Sequence, residues 1–274
     1  MTIVWVDGAL MDEREARVSP FDHGLLTGDG VFETMKIVRG RAFAVRRHLD
    51  RLARSTTGMR LPCPPRDLVA AAIDEVIRAN GWDQGRLRVT VTGGPGPLGS
   101  DRAAVEPTVI VAGGPQPAWP PAADVAVAPW PRNERGALTG VKSVSYGENV
   151  VALAYARDRD AGEALFANLA GNLCEGTGTN VFVGLGGRLL TPPLSAGCLA
   201  GVTRELVLEL VEVVEEDVPI RALDRVEEAF LTSSTRDVQP IRAVDGRPLR
   251  KCPGPLTEGA GTAFKGLVGR ELDP

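Results

Sequence analysis

The sequence predicts a protein of mixed α and β structure folded in two domains. Its 274 residues suit one large domain or two modest ones. Strand-like and helix-like patterns alternate without a strict βαβ order, which points to α+β halves rather than a doubly wound parallel sheet. Residues 113–121 contain four prolines and two glycines, which neither a helix nor a central strand accepts. The expected division is a smaller N-terminal domain at 1–113, a linker at 114–121 and a larger C-terminal domain at 122–274.

Residues 2–6 read as a strand closed by the Asp7-Gly8 turn. Residues 31–38 alternate loosely and end at Arg39-Gly40, and residues 43–45 resume a strand. Residues 47–55 place His48, Leu49, Leu52 and Ala53 on one helical face. A second helix is expected at 65–80, with Leu68, Ala72 and Val76 inward and Gly81 as its stop. Residues 85–92 and 107–112 read as strands. Past the linker, strands are expected at 124–128, 164–167, 180–184, 188–191, 217–220 and 229–233. Helices are expected at 149–159, 202–213 and 256–272.

Composition excludes several classes. A net charge of −4 gives no basic excess to hold a nucleic-acid backbone. Four cysteines with no CxxC pair, and only two histidines, argue against a zinc site; no metal is expected. Free thiols in a reducing cytoplasm are the expected state. The first residues carry no basic and apolar leader pattern, and no stretch approaches the roughly 20 apolar residues that span a bilayer.

Five segments could carry chemistry. Lys142 sits among apolar and small residues, where burial would favour a neutral amine able to form an imine. Its plain alternative is an exposed lysine at a strand end. Glu175 precedes a run of small polar residues and an apolar strand, as in a ligand pocket or an ordinary hairpin turn. Gly201-Val202-Thr203 opens a helix whose N–H groups suit a phosphate, though every helix has a start. Thr232-Ser233-Ser234-Thr235 is an anion-binding turn or a solvated one. Arg51 either lies beneath a phosphate or on a solvated helix face.

Together these segments resemble the class IV aminotransferases, the fold-type IV enzymes that use pyridoxal 5′-phosphate (PLP). The resemblance runs through Gly28-Asp29-Gly30-Val31-Phe32-Glu33-Thr34, His48-Leu49-Asp50-Arg51-Leu52, Lys142 and Glu175-Gly176-Thr177-Gly178-Thr179-Asn180-Val181-Phe182. It continues through Thr191-Pro192-Pro193-Leu194, Gly201-Val202-Thr203-Arg204 and Ser233-Ser234-Thr235 ahead of Gln239-Pro240-Ile241. It implies a two-domain, D-amino-acid-aminotransferase-like fold and a homodimer. It also implies Lys142 as the aldimine lysine and proton shuttle, and Glu175 as partner of the pyridine nitrogen. Arg51, the Val202 and Thr203 N–H groups, and Ser234 or Thr235 would hold the phosphate. Tyr146 would line the site, Asn180 would support the cofactor loop, and Phe32 and Glu33 would face substrate.

The implied partners are a small amino donor and a 2-oxo acid acceptor. The stretch Val91-Thr92-Gly93-Gly94 lacks the Arg-x-His pair of typical D-amino-acid enzymes, and two tyrosines are too few for the pocket of ordinary branched-chain enzymes. The expectation is therefore an aminotransferase of atypical specificity for D-amino acids or (R)-primary amines. Arg132, Arg135 or Arg236 would meet the substrate carboxylate. The alternatives are 4-amino-4-deoxychorismate lyase, sharing the same lysine, and a PLP-binding homologue without turnover.

Overall fold

The computed structural model describes all 274 residues, which divide into two compact units. The first comprises Met1–Pro117, Val141–Tyr146 and Glu271–Pro274; the second comprises Ala118–Gly140 and Gly147–Arg270.

The first unit contains β1 (Ile3–Val6), β2 (Ala9–Asp12), a one-turn helix α1 (His23–Leu26), β3 (Gly30–Val38) and β4 (Arg41–Ala42). These are followed by α2 (Val45–Gly58), α3 (Arg66–Asn80), β5 (Gln84–Thr92) and β6 (Val109–Gly114). Its strands form one antiparallel sheet in the order β2-β1-β6-β5-β3-β4. Val31, Met35 and Ile37 of β3 share a core with Leu49 and Leu52 of α2 and with Val69, Ile73 and Val76 of α3.

Two local expectations are corrected here. Residues 43–45 are not a strand: Ala44 takes a left-handed φ of 57° and turns the chain into α2. Leu68 is 44% exposed, because the buried stripe of α3 runs through Val69, Ala72, Ile73, Val76 and Ile77.

The contiguous division is corrected as well. The segment around Lys142 belongs with the first unit, because it hydrogen-bonds along β3. Phe32 N–H donates to Lys142 O at 3.0 Å, and Val144 N–H donates to Gly30 O at 2.9 Å. Ser143 bridges Val31 in antiparallel register. Gly28 permits this close approach: it has φ +70°, and a methyl there would lie 2.5 Å from Ser145 Oγ.

The second unit contains β7 (Ala123–Val127), α4 (Gly147–Arg157), β8 (Glu163–Ala167), β9 (Leu173–Gly176), β10 (Asn180–Leu185), β11 (Arg188–Thr191) and α5 (Val202–Leu210). Then come β12 (Val214–Glu215), β13 (Glu228–Ser233), β14 (Asp237–Val244), β15 (Arg247–Pro248) and α6 (Pro255–Arg270). Its nine-stranded sheet runs β12-β11-β10-β13-β14-β7-β8-β9, with β15 beside β14. The sheet is mixed: β11/β12, β14/β7 and β7/β8 are parallel pairs. Val125, Leu165, Val181, Val183, Leu231 and Ile241 form its main core. A smaller cluster of Ala126, Ala152, Ala156, Ala164 and Phe166 includes the buried side of α4.

The strand expected at 217–220 is absent, since Pro219 opens a 3-10 helix over Ile220–Arg225. Helix α5 ends at Leu210, three residues before the expected stop. No helix is long and apolar enough to cross a membrane.

Candidate active site

In the first unit, period-two alternation sends neighbouring residues of β3 to opposite faces. Phe32 lies on one face. The Lys142 amine sits 4.2 Å above its ring, and Tyr146 meets the ring edge-on at 5.1 Å between centroids. Lys142 is half-buried, and its backbone N–H donates to Ser55 Oγ at 3.2 Å. The amine is therefore held over an aromatic wall, on a backbone anchored by β3 and α2.

Glu33 points the other way, toward α2, and is 0% exposed. Arg51 grips its carboxylate with two nitrogens, Nε at 2.8 Å and Nη2 at 2.7 Å, and His48 Nδ1 lies 2.7 Å away. Burial alone would raise the Glu33 pKa. The Arg51 charge, with hydrogen bonds from Arg51 and His48, outweighs it and holds the carboxyl down at about 2. Burial also lowers the His48 pKa, although Glu33 opposes the shift. The expectation that Glu33 faces substrate is thus corrected. Its carboxylate is enclosed, and what it does is orient Arg51.

Arg88 was not anticipated. It lies on β5, two residue pairs along from Phe32, since Phe32 faces Thr90 and Thr34 faces Arg88. Its guanidinium stacks 3.6 Å over the Phe32 ring, and Nε donates to Thr90 Oγ1 at 3.0 Å. No carboxylate pairs with it. The side chain reaches solvent but is crowded enough that desolvation lowers its pKa. Alternation along residues 84–92 assigns Arg88 a face, but only the β3–β5 register puts it on the ring that also carries Lys142.

In the second unit, Glu175 sits on β9 opposite Phe166 of β8. Its Oε2 accepts from Leu199 N–H at 2.9 Å, and Arg132 Nε lies 3.4 Å from Oε1. Arg132 stacks 4.2 Å over Phe166 and also bonds Glu148 and Asn149. Arg132 is thus engaged at the Glu175 carboxylate, which corrects its expected place at a substrate carboxylate. Arg236 is corrected likewise: it stacks 3.7 Å over Trp119 and bonds Gln239 and Glu163. Arg135 remains exposed. The neighbouring thiols of Cys174 and Cys198 are buried, and burial pushes both pKa values up, that of Cys198 to about 12. They are inert at neutral pH.

Helix α5 begins at Gly201 with no side-chain cap, leaving the first-turn N–H groups of Val202 and Thr203 without helical partners. Asn180 Nδ2 donates to Leu199 O at 2.8 Å, and Thr232 lies across from Asn180 with a buried, unpartnered Oγ1. Ser234 and Thr235 follow in the turn after β13. A methyl at Gly201 would run into Asn180 Oδ1. Gly201→Ala is accordingly expected to destabilise the protein by about 1–3 kcal/mol, read as a lower thermal midpoint without added cofactor.

The model of the family described as amino-transferase class IV matches residues 30–244. The chain belongs to that family, the fold-type IV aminotransferases. It is 30% identical over 292 residues to the branched-chain-amino-acid aminotransferase of Pseudomonas aeruginosa, covering 97% of this chain and 92% of that one. It is 28% identical over 256 residues to the aminodeoxychorismate lyase of Bacillus subtilis, covering 89% and 87%. Among solved structures, that of the Escherichia coli branched-chain amino acid aminotransferase superposes with a TM-score of 0.92 at 27% identity, covering 97% of this chain and 94% of that one.

Family membership implies a site for PLP, and the residues present fit that group. Free helix N–H groups, an orphaned hydroxyl and further hydroxyls, with no carboxylate among them, suit a phosphate. A carboxylate fixed by a backbone donor suits a protonated ring nitrogen.

Proposed function

We propose that this class IV family member is a PLP-dependent aminotransferase that moves an amino group from a primary amine donor to a 2-oxo acid. The observation that carries the reading is the amine of Lys142 held 4.2 Å over Phe32, on the ring that Arg88 stacks. When bound, PLP supplies an electron sink that acidifies the Cα proton of an attached amino compound. Lys142 Nζ would hold the cofactor, and its amine would hold and return the donor's Cα proton as general base and acid. Glu175 would keep the ring nitrogen protonated. The α5 N-terminus and the hydroxyls of Ser234 and Thr235 would bind the phosphate, and the resemblance gives Arg51 the same role. Asn180 holds the segment that leads into α5.

Arg88 is the residue best suited to a substrate carboxylate. It is a cation without a carboxylate partner, on the same ring as Lys142. Arg88→Ala is expected to raise KM for the 2-oxo acid by about 10- to 100-fold, the factor for losing a charged hydrogen bond. The change in kcat is expected to be smaller.

Two donor classes have support. The scarcity of tyrosine counts against an ordinary branched-chain pocket and the missing Arg-x-His pair against an ordinary D-amino-acid site, which leaves a D-amino acid or (R)-primary amine held in an atypical way. The likeness to branched-chain enzymes favours a branched-chain amino acid. The likeness to an aminodeoxychorismate lyase supports a second activity on the same lysine, release of pyruvate and 4-aminobenzoate. A screen of both donor enantiomers and aromatic amines against pyruvate and 2-oxoglutarate separates them. Formation of 4-aminobenzoate, with no amino transfer from any donor, would remove the aminotransferase reading.

A further inference from the structure

We propose that Glu163 is a positioning residue that ties the loop behind Glu175 to the turn behind Ser234 and Thr235, setting both ends of the cofactor site from one buried carboxylate. The inference rests on the PLP reading above. Glu163 opens β8 and is 2% exposed. Its Oε1 accepts from Thr177 N–H at 3.0 Å, from the Thr177 hydroxyl and from Ala164 N–H at 3.2 Å. Its Oε2 accepts from Thr179 Oγ1 at 3.4 Å and Arg236 Nη2 at 3.3 Å.

These partners belong to two segments. Thr177 and Thr179 form the tight turn directly after Glu175, closed by Gly176 N–H donating to Thr179 O at 2.8 Å. Asn149 Nδ2 holds the Thr177 carbonyl from α4. Gly176 has no room for a side chain, since a methyl there would run into Thr179 Oγ1 and lie 3.3 Å from the Glu163 carboxyl carbon. Arg236 ends the hydroxyl turn. Its N–H donates to Ser233 Oγ at 3.1 Å, and its guanidinium is clamped between the Trp119 ring, Gln239 and Glu163. A carboxylate with five donors is a stiff support, because charge-assisted bonds are about twice as strong as neutral ones. The two segments also meet through the pairing of β10 with β13, where Asn180 lies opposite Thr232. Glu163 adds a side-chain tie between the turns that flank that pair, so a shift at one end is carried to the other. Groups that hold a ligating residue in place commonly account for about 10–100-fold in ligand affinity.

The test compares Glu163→Gln, Thr177→Val and Thr177→Ser with wild type, each stripped of cofactor and titrated with PLP. Three quantities are read: PLP affinity, the pH midpoint of the bound cofactor's visible absorbance, and the thermal midpoint of the cofactor-free protein. Glu163→Gln and Thr177→Val are expected to weaken PLP binding by about 10-fold or more and to shift the pH midpoint. Thr177→Ser, which keeps the hydroxyl, is expected to restore both. If Glu163→Gln does not fold, the Thr177 pair decides. Wild-type affinity and an unshifted pH midpoint in Thr177→Val, or in a folded Glu163→Gln, would overturn the inference and leave the PLP reading intact. Wild-type protein that binds no PLP would overturn both.

Discussion

Lys142→Ala is expected to lower amino transfer by about 10⁴-fold, the upper end for losing a general acid–base group, while leaving the far-ultraviolet circular dichroism unchanged. The fold should survive because the Lys142 backbone is anchored independently of its side chain. Its N–H donates to Ser55 and its carbonyl accepts from Phe32 N–H, while Ser143 and Val144 extend the pairing along β3. Only three other lysines exist to take over, and none is placed like Lys142. Lys36 covers the Phe43 ring, Lys251 pairs with Glu227 at 2.8 Å, and Lys265 is exposed on α6. Retained turnover above about one part in a hundred would move the chemistry elsewhere.

The second large effect is structural. Glu33→Gln removes the charge that Arg51 faces and is expected to cost about 3–5 kcal/mol, the penalty for breaking a buried ion pair from one side. Urea unfolding of the cofactor-free protein measures it. Glu33→Gln combined with Arg51→Met should recover part of the loss, because the orphaned cation is then gone. The same pair sets an acid limit. The Glu33 carboxyl is depressed in the folded protein, so its contribution is complete above the ordinary value of 4.5 and is lost as pH falls toward about 2. The size of that contribution is about 3 kcal/mol. His48 works in the same direction: its folded pKa is lowered, so below the ordinary value of 6.5 the unfolded chain takes up the proton more readily. Stability that stayed flat from pH 7 to pH 3 would contradict this account of the Glu33 cluster.

Much of this was readable in the chain because period and turn chemistry are local. Residues 31–38 and 85–92 read as strands, and Gly81 as a helix stop, from neighbours alone. What failed was non-local. Leu173-Cys174-Glu175-Gly176 is too short to announce a strand, yet β8 pairs with it. Pro240 argues against a strand in isolation, but β14 incorporates it opposite Phe230. Lys142 follows the linker in sequence, and only its hydrogen bonds to β3 return it to the first unit. The site shows the same limit. Motif order singled out Lys142, Glu175 and Arg51, but an arginine's partner cannot be read from its position. Position alone therefore offers Arg132, Arg135 and Arg236 as substrate ligands and does not single out Arg88 or Glu163.

The central claim is that Lys142 carries the cofactor, and borohydride trapping tests it most directly. The protein is incubated with PLP, reduced with borohydride, digested and mapped by mass spectrometry. The expected result is one phosphopyridoxyl group on the peptide containing Lys142 and none on that peptide in Lys142→Ala. A label on Lys36, Lys251 or Lys265 instead, or no stable label in the wild-type protein, would contradict it.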